Sequence, residues 1–470
     1  MMGSDITSAD DEPIAALSSA RGASGVAIIR VSGALSHSLL LPLIKFKSER
    51  PYEKIDFAKL YLCDLVDNIS DPKNSEIIDE PMVVFFKGPR SYTGEDSAEL
   101  HLHGGPYIVE RTLKLLYRAG FRAAEAGEYT RRAFLNGKMD LTTAEGIREL
   151  ANAGSHQQWL AARSLATGKL AGKIEDLRDT LMGAMAWLEA RIDFPDEGET
   201  SEIELKEVEK RVGDVKKALL TLEETFDSGR VATSGLKVAL FGEPNAGKST
   251  LMNKLLGENR AIVTEIAGTT RDYLEEPCLI KGRLIRLIDT AGVRSGDEVG
   301  KVEKIGIERS FEIAKDSDIV LYLCPSDSEK PETVSEWIKE VSNEDFFKLA
   351  TKSDLLKENS PSWIDSSFMK ISCDSDEGLD ELKDIICQKV DDLVGKLKDE
   401  VFITSARHKE ALKNAHAFID KFYEVKSEGG YEEMLAFELQ EAARCLQSVI
   451  GEVASDDILG VIFSSFCVGK

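Results

Sequence analysis

Short apolar runs separated by turn residues dominate the first 120 residues of the chain. Three of them have the length and composition of strands, namely GVAIIRVSG (25–33), EPMVVFFKG (80–88) and AELHLHGG (98–105). The stretch near 106–118 has a helix-like pattern instead. Strand-like runs mixed with a helix predict an α/β domain of about 120 residues in this part of the chain.

From about residue 127 the pattern becomes helical. The segments Trp159–Leu170 and Leu177–Arg191 are rich in Ala and Leu, and the second stops at DFPDEGE (193–199), where Pro and Gly end a helix. Farther on, apolar residues recur at intervals of four and three in a charged segment. This spacing predicts an amphipathic helix packed in a bundle. The apolar stripe consists of Val208, Val212, Val215, Leu219, Leu222 and Phe226.

At Gly235 the pattern changes to strand-like runs with helix-like segments between most of them, which predicts a parallel, doubly wound sheet. The runs are LKVALFG (236–242), RLIRLIDTAG (283–292), DIVLYLC (318–324), FFKLATKSD (346–354) and FMKISC (368–373). From about 395 to 470 the chain is helical again. One side of this last region carries Leu435, Leu439, Ala442, Leu446 and Val449.

Similar helical character on both sides of the 235–390 segment predicts that an α/β domain is inserted into a discontinuous helical domain. The expected fold class is therefore α/β plus all-α. The predicted segments are an N-terminal α/β domain (1–122), a first helical part (123–234), the inserted doubly wound domain (235–392) and a second helical part (393–470).

Composition narrows the classes of function. With 59 Lys and Arg against 83 Asp and Glu, the 470-residue chain has a net charge of −24, which disfavours a protein that coats nucleic acid non-specifically. The longest uncharged run, Val31–Ile44, is shorter than the ~18 residues of a membrane span, so no membrane association is expected. Seven scattered cysteines without a CxxC pair indicate a reducing compartment, the cytoplasm, and no zinc cluster.

The clearest motif is Gly242-Glu-Pro-Asn-Ala-Gly247-Lys248-Ser249, which matches GxxxxGK[ST]. It follows a predicted strand and precedes the helix-compatible LMNKLLG, as a phosphate-binding loop requires. Its glycines allow backbone N–H groups to line an anion nest at a helix N-terminus. Lys248 would contact the β- and γ-phosphates, and the Ser249 hydroxyl would bind Mg²⁺.

Two further segments complete a nucleotide-hydrolysing pattern. Asp289-Thr-Ala-Gly292 ends a predicted strand, where Asp289 can hold Mg²⁺ through water and the Gly292 N–H can meet a γ-phosphate. The sequence GTTRD (268–272) lies between this motif and the phosphate-binding loop. One of its threonines could close over the metal, so Val263–Asp272 is a candidate switch loop.

Base selection is predicted for Thr351-Lys352-Ser353-Asp354, which follows the strand-like FFKLA. The Asp354 carboxylate can accept hydrogen bonds from both N1–H and the 2-amino group of guanine, whereas adenine offers no such pair of donors. The usual pattern is NKxD, and this chain has Thr351 in place of Asn. We therefore expect guanine preference to persist with reduced affinity. Ser372 and Cys373 occupy the place of a further base-contacting loop.

Hydrolysis also requires a group that orients water. Many GTPases have Gln directly after the DTAG motif, but this chain has Val293, which cannot orient water. Asp297, Glu298 and Glu303 are the candidates in the following segment. On the sequence alone, any one of them is also compatible with a solvated surface charge.

The combined motifs resemble the MnmE (TrmE) family of tRNA-modification GTPases, which acts in the wobble-uridine pathway. In the central and C-terminal parts, the resemblance rests on GEPNAGKST, IAGTTRD, DTAGV, VEKIGIERS and the terminal FCVGK. Earlier in the chain it rests on GVAIIRVSG, SYTGED, HLHGGP, AGEYTRRAFLNGKMDL and IDFPDE. It therefore covers nearly the whole sequence.

The resemblance implies an N-terminal folate-binding and dimerisation domain, a helical domain and an inserted GTPase domain. It also implies a homodimer that works with a separate FAD-dependent protein, MnmG, in a heterotetramer. Together the two proteins would add an aminomethyl or carboxymethylaminomethyl group to C5 of the wobble uridine in certain tRNAs. A tetrahydrofolate derivative, of the 5,10-methylene or formyl type, would carry the carbon, and glycine or ammonium would supply the nitrogen.

The resemblance further implies that K⁺ stimulates hydrolysis as the GTPase domains meet across their switch regions. Asn245 matches the K⁺-binding asparagine, and Thr264, Ile266 and Thr269 match the loop that completes the K⁺ site. Thr270 matches the Mg²⁺ threonine, next to Ser249 in the expected metal site, and Glu303 matches the water-orienting glutamate. The expected GTP-binding residues are Asn245, Ala246, Gly247, Lys248, Ser249, Thr250, Thr264, Thr269, Thr270, Asp289, Thr290, Ala291, Gly292, Thr351, Lys352, Asp354, Ser372 and Cys373.

For folate, the resemblance implies Arg30, Glu99, Lys138 and the terminal Lys470. A carboxylate can pair with the N–H donors of the pterin, and cations can meet the glutamyl tail. Taken singly, each of these residues is equally compatible with a surface ion pair. Cys467 in FCVGK is a candidate functional thiol because a neighbouring Lys470 could activate it, although a buried, inert cysteine fits the sequence as well.

Two other classes of function remain as alternatives. A ribosome-assembly GTPase, related through its GTPase domain alone, would act as an RNA-linked switch. It would need a basic RNA-binding domain, which this acidic chain does not suggest. A folate-dependent aminomethyltransferase with a purely structural GTPase domain is disfavoured because Lys248, Asp289 and Thr270 are all present.

Overall fold

The computed structural model contains defined positions for most of the chain, and all structural statements below concern those residues. No helix in these ranges is long and apolar enough to cross a membrane. The described residues are 12–48, 52, 55–67, 69, 75–193, 201–242, 245–257, 274–289, 311–327, 345–356, 361, 363–395, 397, 401–453 and 455–469.

The contacts divide the chain into two units, each described by itself. The first unit draws its described residues from 1–144 and 453–470, and the second from 145–452. The C-terminal segment thus belongs to the same unit as the N-terminal domain. The division into the four segments inferred from sequence stays a prediction.

An eight-stranded sheet forms the first unit, with the order β3-β4-β6-β7-β2-β1-β8 and β5 paired to β4. Only the short pairing of β1 with β8 is parallel among these strands. The three strands expected from sequence are confirmed as β2, β6 and β7. The strands are β1 (Ile14–Leu17), β2 (Ser24–Ser32), β3 (Ile44–Phe46), β4 (Leu60–Asp67), β5 (Glu76–Asp79), β6 (Met82–Phe86), β7 (Ser97–Gly104) and β8 (Arg122–Ala123).

Helices pack on both faces of this sheet, α2 against Ala15 on one face and Tyr129 of α3 against Ile14 and Ala16 on the other. The expected helix near 106–118 is confirmed as α2, whose Leu115 and Leu116 are buried in the sheet core. Farther along, Leu141 packs in a small core with Phe463 and Phe466 of the C-terminal segment. The helices are α1 (Ser36–Leu40), α2 (Pro106–Arg118), α3 (Glu128–Leu135), α4 (Leu141–Asn152), which continues into the second unit, and α13 (Asp456–Ser464).

Long helices of the second unit pack around one apolar core and form a bundle. The stripe from Val208 to Leu222 is buried as predicted. Its expected last member, Phe226, lies beyond the end of that helix, because the chain turns at Thr225 and Phe226 begins the next helix. The helices are α5 (His156–Ala166), α6 (Lys169–Asp193), α7 (Ser201–Glu224), α8 (Phe226–Ser234), α11 (Ala406–Ser427) and α12 (Glu432–Ile450).

The inserted domain contains a six-stranded sheet of order β10-β11-β9-β12-β13-β14 with apolar clusters on both faces, so it is doubly wound. The five strands expected from sequence pair in parallel, as predicted. A sixth strand that the sequence did not indicate, β10, adds an antiparallel edge to β11. The elements are β9 (Leu236–Gly242), α9 (Lys248–Leu256), β10 (Leu274–Ile280), β11 (Arg283–Asp289), β12 (Ile319–Pro325), β13 (Phe346–Thr351), β14 (Phe368–Ile371) and α10 (Leu379–Val394).

A buried cluster of charged and polar groups connects α4 to α11 within the second unit. Glu145 Oε2 lies 2.8 Å from His408 Nε2 and accepts a hydrogen bond of 3.0 Å from Arg407 Nη2. Burial alone would raise the pKa of the Glu145 carboxyl, but His408 and Arg407 outweigh that effect and lower the pKa to about 2. The carboxylate therefore stays charged inside the protein over the whole neutral range.

We expect Glu145→Gln to lower the free energy of unfolding at pH 7 by about 3–5 kcal/mol, because it leaves Arg407 and His408 without their carboxylate. The pKa of Glu145 is depressed in the folded state, so its contribution is complete above pH 4.5 and falls as the pH approaches 2. Urea unfolding of both proteins at several pH values measures the difference. The difference in unfolding free energy between the two proteins should shrink as the pH falls.

Glu149→Gln is the matched control, because Glu149 lies on the same helix in a partly exposed pair with Arg148. It should cost less than about 1 kcal/mol. Equal losses for the Glu145 and Glu149 variants at pH 7 would contradict the role assigned to the buried cluster.

Candidate functional site

The phosphate-binding loop turns sharply at the end of β9. Gly242 packs against β12 so closely that a Cβ atom would lie 2.5 Å from the carbonyl oxygen of Leu323. Gly247 precedes α9 with a φ of +91°, which favours glycine, and Asn245 takes the left-handed region with a φ of +64°. The loop therefore leads directly into the N-terminus of α9, where backbone N–H groups are available to an anion.

Two side chains of the loop lie where phosphate and metal chemistry would need them. The buried Lys248 side chain donates from Nζ to the carbonyl oxygen of Gly242 over 2.6 Å. The Ser249 hydroxyl donates to Asp289 Oδ2 over 3.2 Å, which joins the start of α9 to the end of β11. A hydroxyl and a carboxylate are hard oxygen ligands of the kind Mg²⁺ prefers, so this pair fits the expected metal site.

Thr351 ties the base-recognition segment to the phosphate-binding loop. It ends β13, its side chain is buried, and its hydroxyl donates to the carbonyl oxygen of Ala246 over 2.8 Å. The Thr351 carbonyl in turn accepts from the Ser326 N–H at the end of β12. The hydroxyl of Thr351 therefore links the two segments that are expected to contact the nucleotide.

The carboxylate expected to select guanine is held by a serine from the next loop. Ser372 donates from Oγ to Asp354 Oδ1 over 2.6 Å, and its oxygen accepts from the N–H groups of Asp374 and Ser375. Asp354 is thereby fixed beside Ser372, and the expected contact of these two loops with a guanine base stays a prediction. Burial raises the pKa of the neighbouring Cys373 thiol, which stays protonated.

The adjacent Lys352 adopts a left-handed backbone conformation with a φ of +58°. Its Nζ lies 3.1 Å from Asp327 Oδ2, in the loop after β12. The segments that follow β9, β12 and β13 thus place side chains at the same edge of the sheet. This edge is the place where ligands bind in open α/β sheets.

Several predicted residues lie outside the described part of the chain. They belong to the candidate switch loop, the segment after Asp289 and the C-terminus. These residues are Thr264, Ile266, Thr269, Thr270, Thr290, Ala291, Gly292, Val293, Asp297, Glu298, Glu303 and Lys470. Their expected roles stay predictions.

A second cluster in the first unit contains two of the expected folate residues. Arg30 donates from Nε and Nη2 to Glu99 Oε1, over 3.0 and 2.7 Å, across the β2–β7 pairing. The Arg30 guanidinium lies 5.3 Å from the ring centre of Tyr92 and 5.7 Å from that of Tyr129. Aromatic faces attract a guanidinium at this distance, so the arginine is held in one orientation.

His101 adds an unsatisfied polar atom to this cluster. Its Nε2 lies 3.5 Å from Glu99 Oε2, is buried, and has no hydrogen-bond partner among the described residues. A buried nitrogen in this state is costly unless another group completes it. The Arg30, Glu99 and His101 group therefore fits a ligand that carries both hydrogen-bond donors and acceptors, as a pterin does.

Lys138 and Cys467 occupy other parts of the first unit. Lys138 donates from Nζ to the carbonyl oxygen of Pro89, in the loop that also carries Tyr92. Cys467 is exposed, and its carbonyl oxygen accepts from the N–H of Gly127. The expectation of an inert cysteine rested on burial, and the exposed thiol does not meet that condition.

The sequence did not identify Tyr92, Tyr129 or His101 as site residues. Tyr92 and Tyr129 lie in the motifs SYTGED and AGEYTRR, which are the only sequence signal for these two side chains. Within the described ranges, no three His, Cys, Asp or Glu side chains form a cluster able to hold a metal ion.

Two family models match consecutive parts of the chain. The family described as GTP-binding protein TrmE N-terminus matches residues 13–138, and the family described as MnmE helical domain matches residues 141–467. The chain belongs to the MnmE family. The match to the MnmE helical domain extends across the inserted domain, which contains the phosphate-binding loop and Asp354.

Relatives within the MnmE family align over almost the whole chain. The tRNA modification GTPase MnmE of Aquifex aeolicus (strain VF5) is 38% identical over 462 residues, which cover 98% of this chain and 100% of the relative. That of Thermotoga maritima is 36% identical over 466 residues, with 98% and 100% coverage.

Among solved structures, the G domain of the T. maritima FeoB iron transporter is 28% identical to this chain. The match covers 33% of this chain and 98% of the FeoB chain, with a TM-score of 0.25. Aquifex aeolicus Era bound to GDP and aluminium fluoride is 22% identical, covers 39% and 66%, and has a TM-score of 0.27.

We expect Thr351→Val to weaken GDP binding about tenfold, because an isosteric side chain without a hydroxyl leaves the Ala246 carbonyl without its partner. Thr351→Ser keeps the hydroxyl and should stay within about threefold of the unmodified protein. Titration of each protein with a fluorescent GDP analogue measures the dissociation constants. If the Val variant binds as tightly as the Ser variant, the contact with Ala246 does not position the site.

Proposed function

We propose that this chain is a K⁺-stimulated GTPase which, with an FAD-dependent partner, installs an aminomethyl or carboxymethylaminomethyl group on C5 of the wobble uridine of certain tRNAs. As a member of the MnmE family, it is a GTP hydrolase that acts in tRNA modification. One observation carries this proposal: Lys248, the Ser249–Asp289 pair and the segment Thr351–Asp354 lie at the same edge of the sheet. The alignment supports it, because MnmE relatives match the chain over 98% of its length.

The described residues suggest how GTP is held. Lys248 would move its ammonium group from the Gly242 carbonyl to the phosphates, and Ser249 with Asp289 would hold Mg²⁺, which neutralises charge on the phosphates. Asp354, fixed by Ser372, would accept the guanine N–H donors. GTP would drive a conformational cycle rather than serve as a reactant in the modification.

The K⁺ part of the proposal rests on Asn245. Its left-handed backbone lies in the phosphate-binding loop, and its side chain is exposed, so the amide oxygen is available as a hard ligand for a cation. The rest of the proposed K⁺ site, Thr264, Ile266 and Thr269, and the proposed water-orienting Glu303 come from the sequence resemblance alone. Two copies of the chain would meet through their GTPase domains.

The folate part rests on the first unit. Arg30 and Glu99 form a preoriented charged pair, and His101 presents a buried, unsatisfied nitrogen beside it. We propose that Glu99 recognises the pterin of a tetrahydrofolate derivative and that Arg30, Lys138 and Lys470 bind the rest of the molecule. The folate would supply a one-carbon unit, and the protein would act as a homodimer in the cytoplasm.

Steady-state GTP hydrolysis in KCl and in NaCl at equal ionic strength tests the K⁺ role. We expect at least about tenfold faster hydrolysis in KCl, because K⁺ would supply the charge that an arginine finger supplies elsewhere. Asn245→Ala should abolish the difference between the salts. Glu303→Ala should slow hydrolysis in both salts without weakening GTP binding.

Equal rates in KCl and NaCl for the unmodified protein would contradict the K⁺ role. Lys352→Ala is the matched control for Asn245→Ala, because Lys352 lies at the same sheet edge but is proposed to contact the base side. It should keep the K⁺ stimulation at saturating GTP.

For the folate site, we expect Glu99→Gln to raise the dissociation constant of 5-formyltetrahydrofolate about tenfold or more, because a charged acceptor for the pterin N–H groups is lost. Isothermal titration calorimetry on the full chain measures it. Glu76→Gln is the control, since Glu76 forms an ion pair with Arg111 elsewhere in the same unit. Unchanged binding in the Glu99 variant would exclude this cluster as the folate site.

A further inference from the structure

A ridge of large apolar side chains stands exposed at the start of α12. Tyr431, Met434 and Phe437 are 78%, 50% and 54% exposed. Their spacing of three residues places them on one side of the helix, while Leu435 and Leu439 on the other side are buried in the bundle core. We call these three residues the α12 ridge. Three large apolar side chains exposed on one side of a helix make this face a candidate interaction surface.

Acidic residues border the α12 ridge. The segment from Glu428 to Glu441 contains five glutamates and no lysine or arginine. Glu432 is paired with Arg191 over 2.6 Å, whereas Glu433 is exposed on the ridge side of the helix. Glu438 has a buried carboxylate oxygen with no hydrogen-bond partner in the described part of the chain. Glu441 lies 3.9 Å from Arg444, so three of the five glutamates leave the ridge with a negatively charged border.

The charge of this border decides which kind of molecule fits the ridge. A tRNA backbone or an anionic membrane would be repelled by the glutamates. A second copy of the same ridge would bring two acidic borders together, which opposes association. A protein surface with an apolar pocket inside a basic rim satisfies both features, because the pocket buries the ridge and the rim pairs with the glutamates.

We propose that the α12 ridge is the docking surface for the FAD-dependent partner, which would present an apolar pocket bordered by Lys and Arg. This inference rests on the proposed function, which supplies the partner. Helices α6 and α11 pack against α12 and hold the ridge on a rigid support. Met434 and Phe437 are the expected anchors, because a few central apolar residues carry most of the energy of an interface.

Calorimetric titration of the full chain with the purified, FAD-loaded partner tests the proposal. We expect the double variant Met434→Ala and Phe437→Ala to raise the dissociation constant about tenfold or more. Leu220→Ala is the matched control, because Leu220 is also exposed on the same bundle, on α7, and lies outside the ridge. It should leave the dissociation constant within about twofold. Circular dichroism and thermal unfolding check that every variant is folded.

The charged border is tested separately. Glu433→Lys should weaken partner binding, and added NaCl should weaken binding of the unmodified chain more than that of the Glu433 variant. Glu207→Lys serves as the control, since Glu207 is an exposed glutamate on α7 of the same bundle.

If the unmodified chain binds the partner and the double variant binds it with the same affinity, the ridge assignment is overturned and the proposed function still stands. Absence of any binding by the unmodified chain would overturn the partner in the proposed function together with this inference. If, in the absence of the partner, the double variant has a different sedimentation coefficient from the unmodified chain, the ridge is occupied by a second copy of the chain. Loss of tRNA binding by the double variant without the partner would identify RNA, and either result would overturn the proposal.

Discussion

The nucleotide site depends on the parallel pairing of β9 with a strand on each side. β11 and β12 flank β9, so the ends of all three strands lie at one edge of the sheet. Gly242 permits the close approach to β12, and the chain then turns back into α9. Because strand register fixes this edge, Ser249 meets Asp289 and Thr351 meets Ala246 without any long loop having to bring them together. The chemistry of the site is thus a consequence of sheet topology.

Strand pairing also positions the side chains of the candidate site in the first unit. The antiparallel register of β2 and β7 places Arg30 directly opposite Glu99. Tyr92 and Tyr129 approach from a loop and from α3, and they restrict the guanidinium that the carboxylate already binds. An arginine held in this way loses less conformational freedom when a ligand arrives. Both candidate sites therefore have polar groups fixed by strand pairing, which is parallel in one and antiparallel in the other.

Local patterns predicted most elements, and contacts between distant residues account for what was missed. Apolar runs identified β9 and the strands β11 to β14, since buried parallel strands have nearly continuous apolar sequences. β10 was not predicted, because Glu275, Glu276 and Pro277 interrupt its pattern and only pairing with β11 makes it a strand. The residue type at Thr351 indicated a lost amide, but the bond to Ala246, 105 residues away, required the fold. In the same way, the orphaned nitrogen of His101 depends on packing that no local pattern encodes.

The acidic residues behind the net charge of −24 have different roles in different parts of the molecule. Glu145 is buried, and Arg407 and His408 compensate its charge, so it contributes to stability and not to the surface field. Of the five glutamates in residues 428–441, Glu432 pairs with Arg191 and Glu441 with Arg444, and the other three border an exposed apolar ridge. Uncompensated charge beside apolar surface opposes self-association while leaving a basic partner attractive. In the function we propose, the FAD-dependent partner would supply much of the positive surface that meets the tRNA.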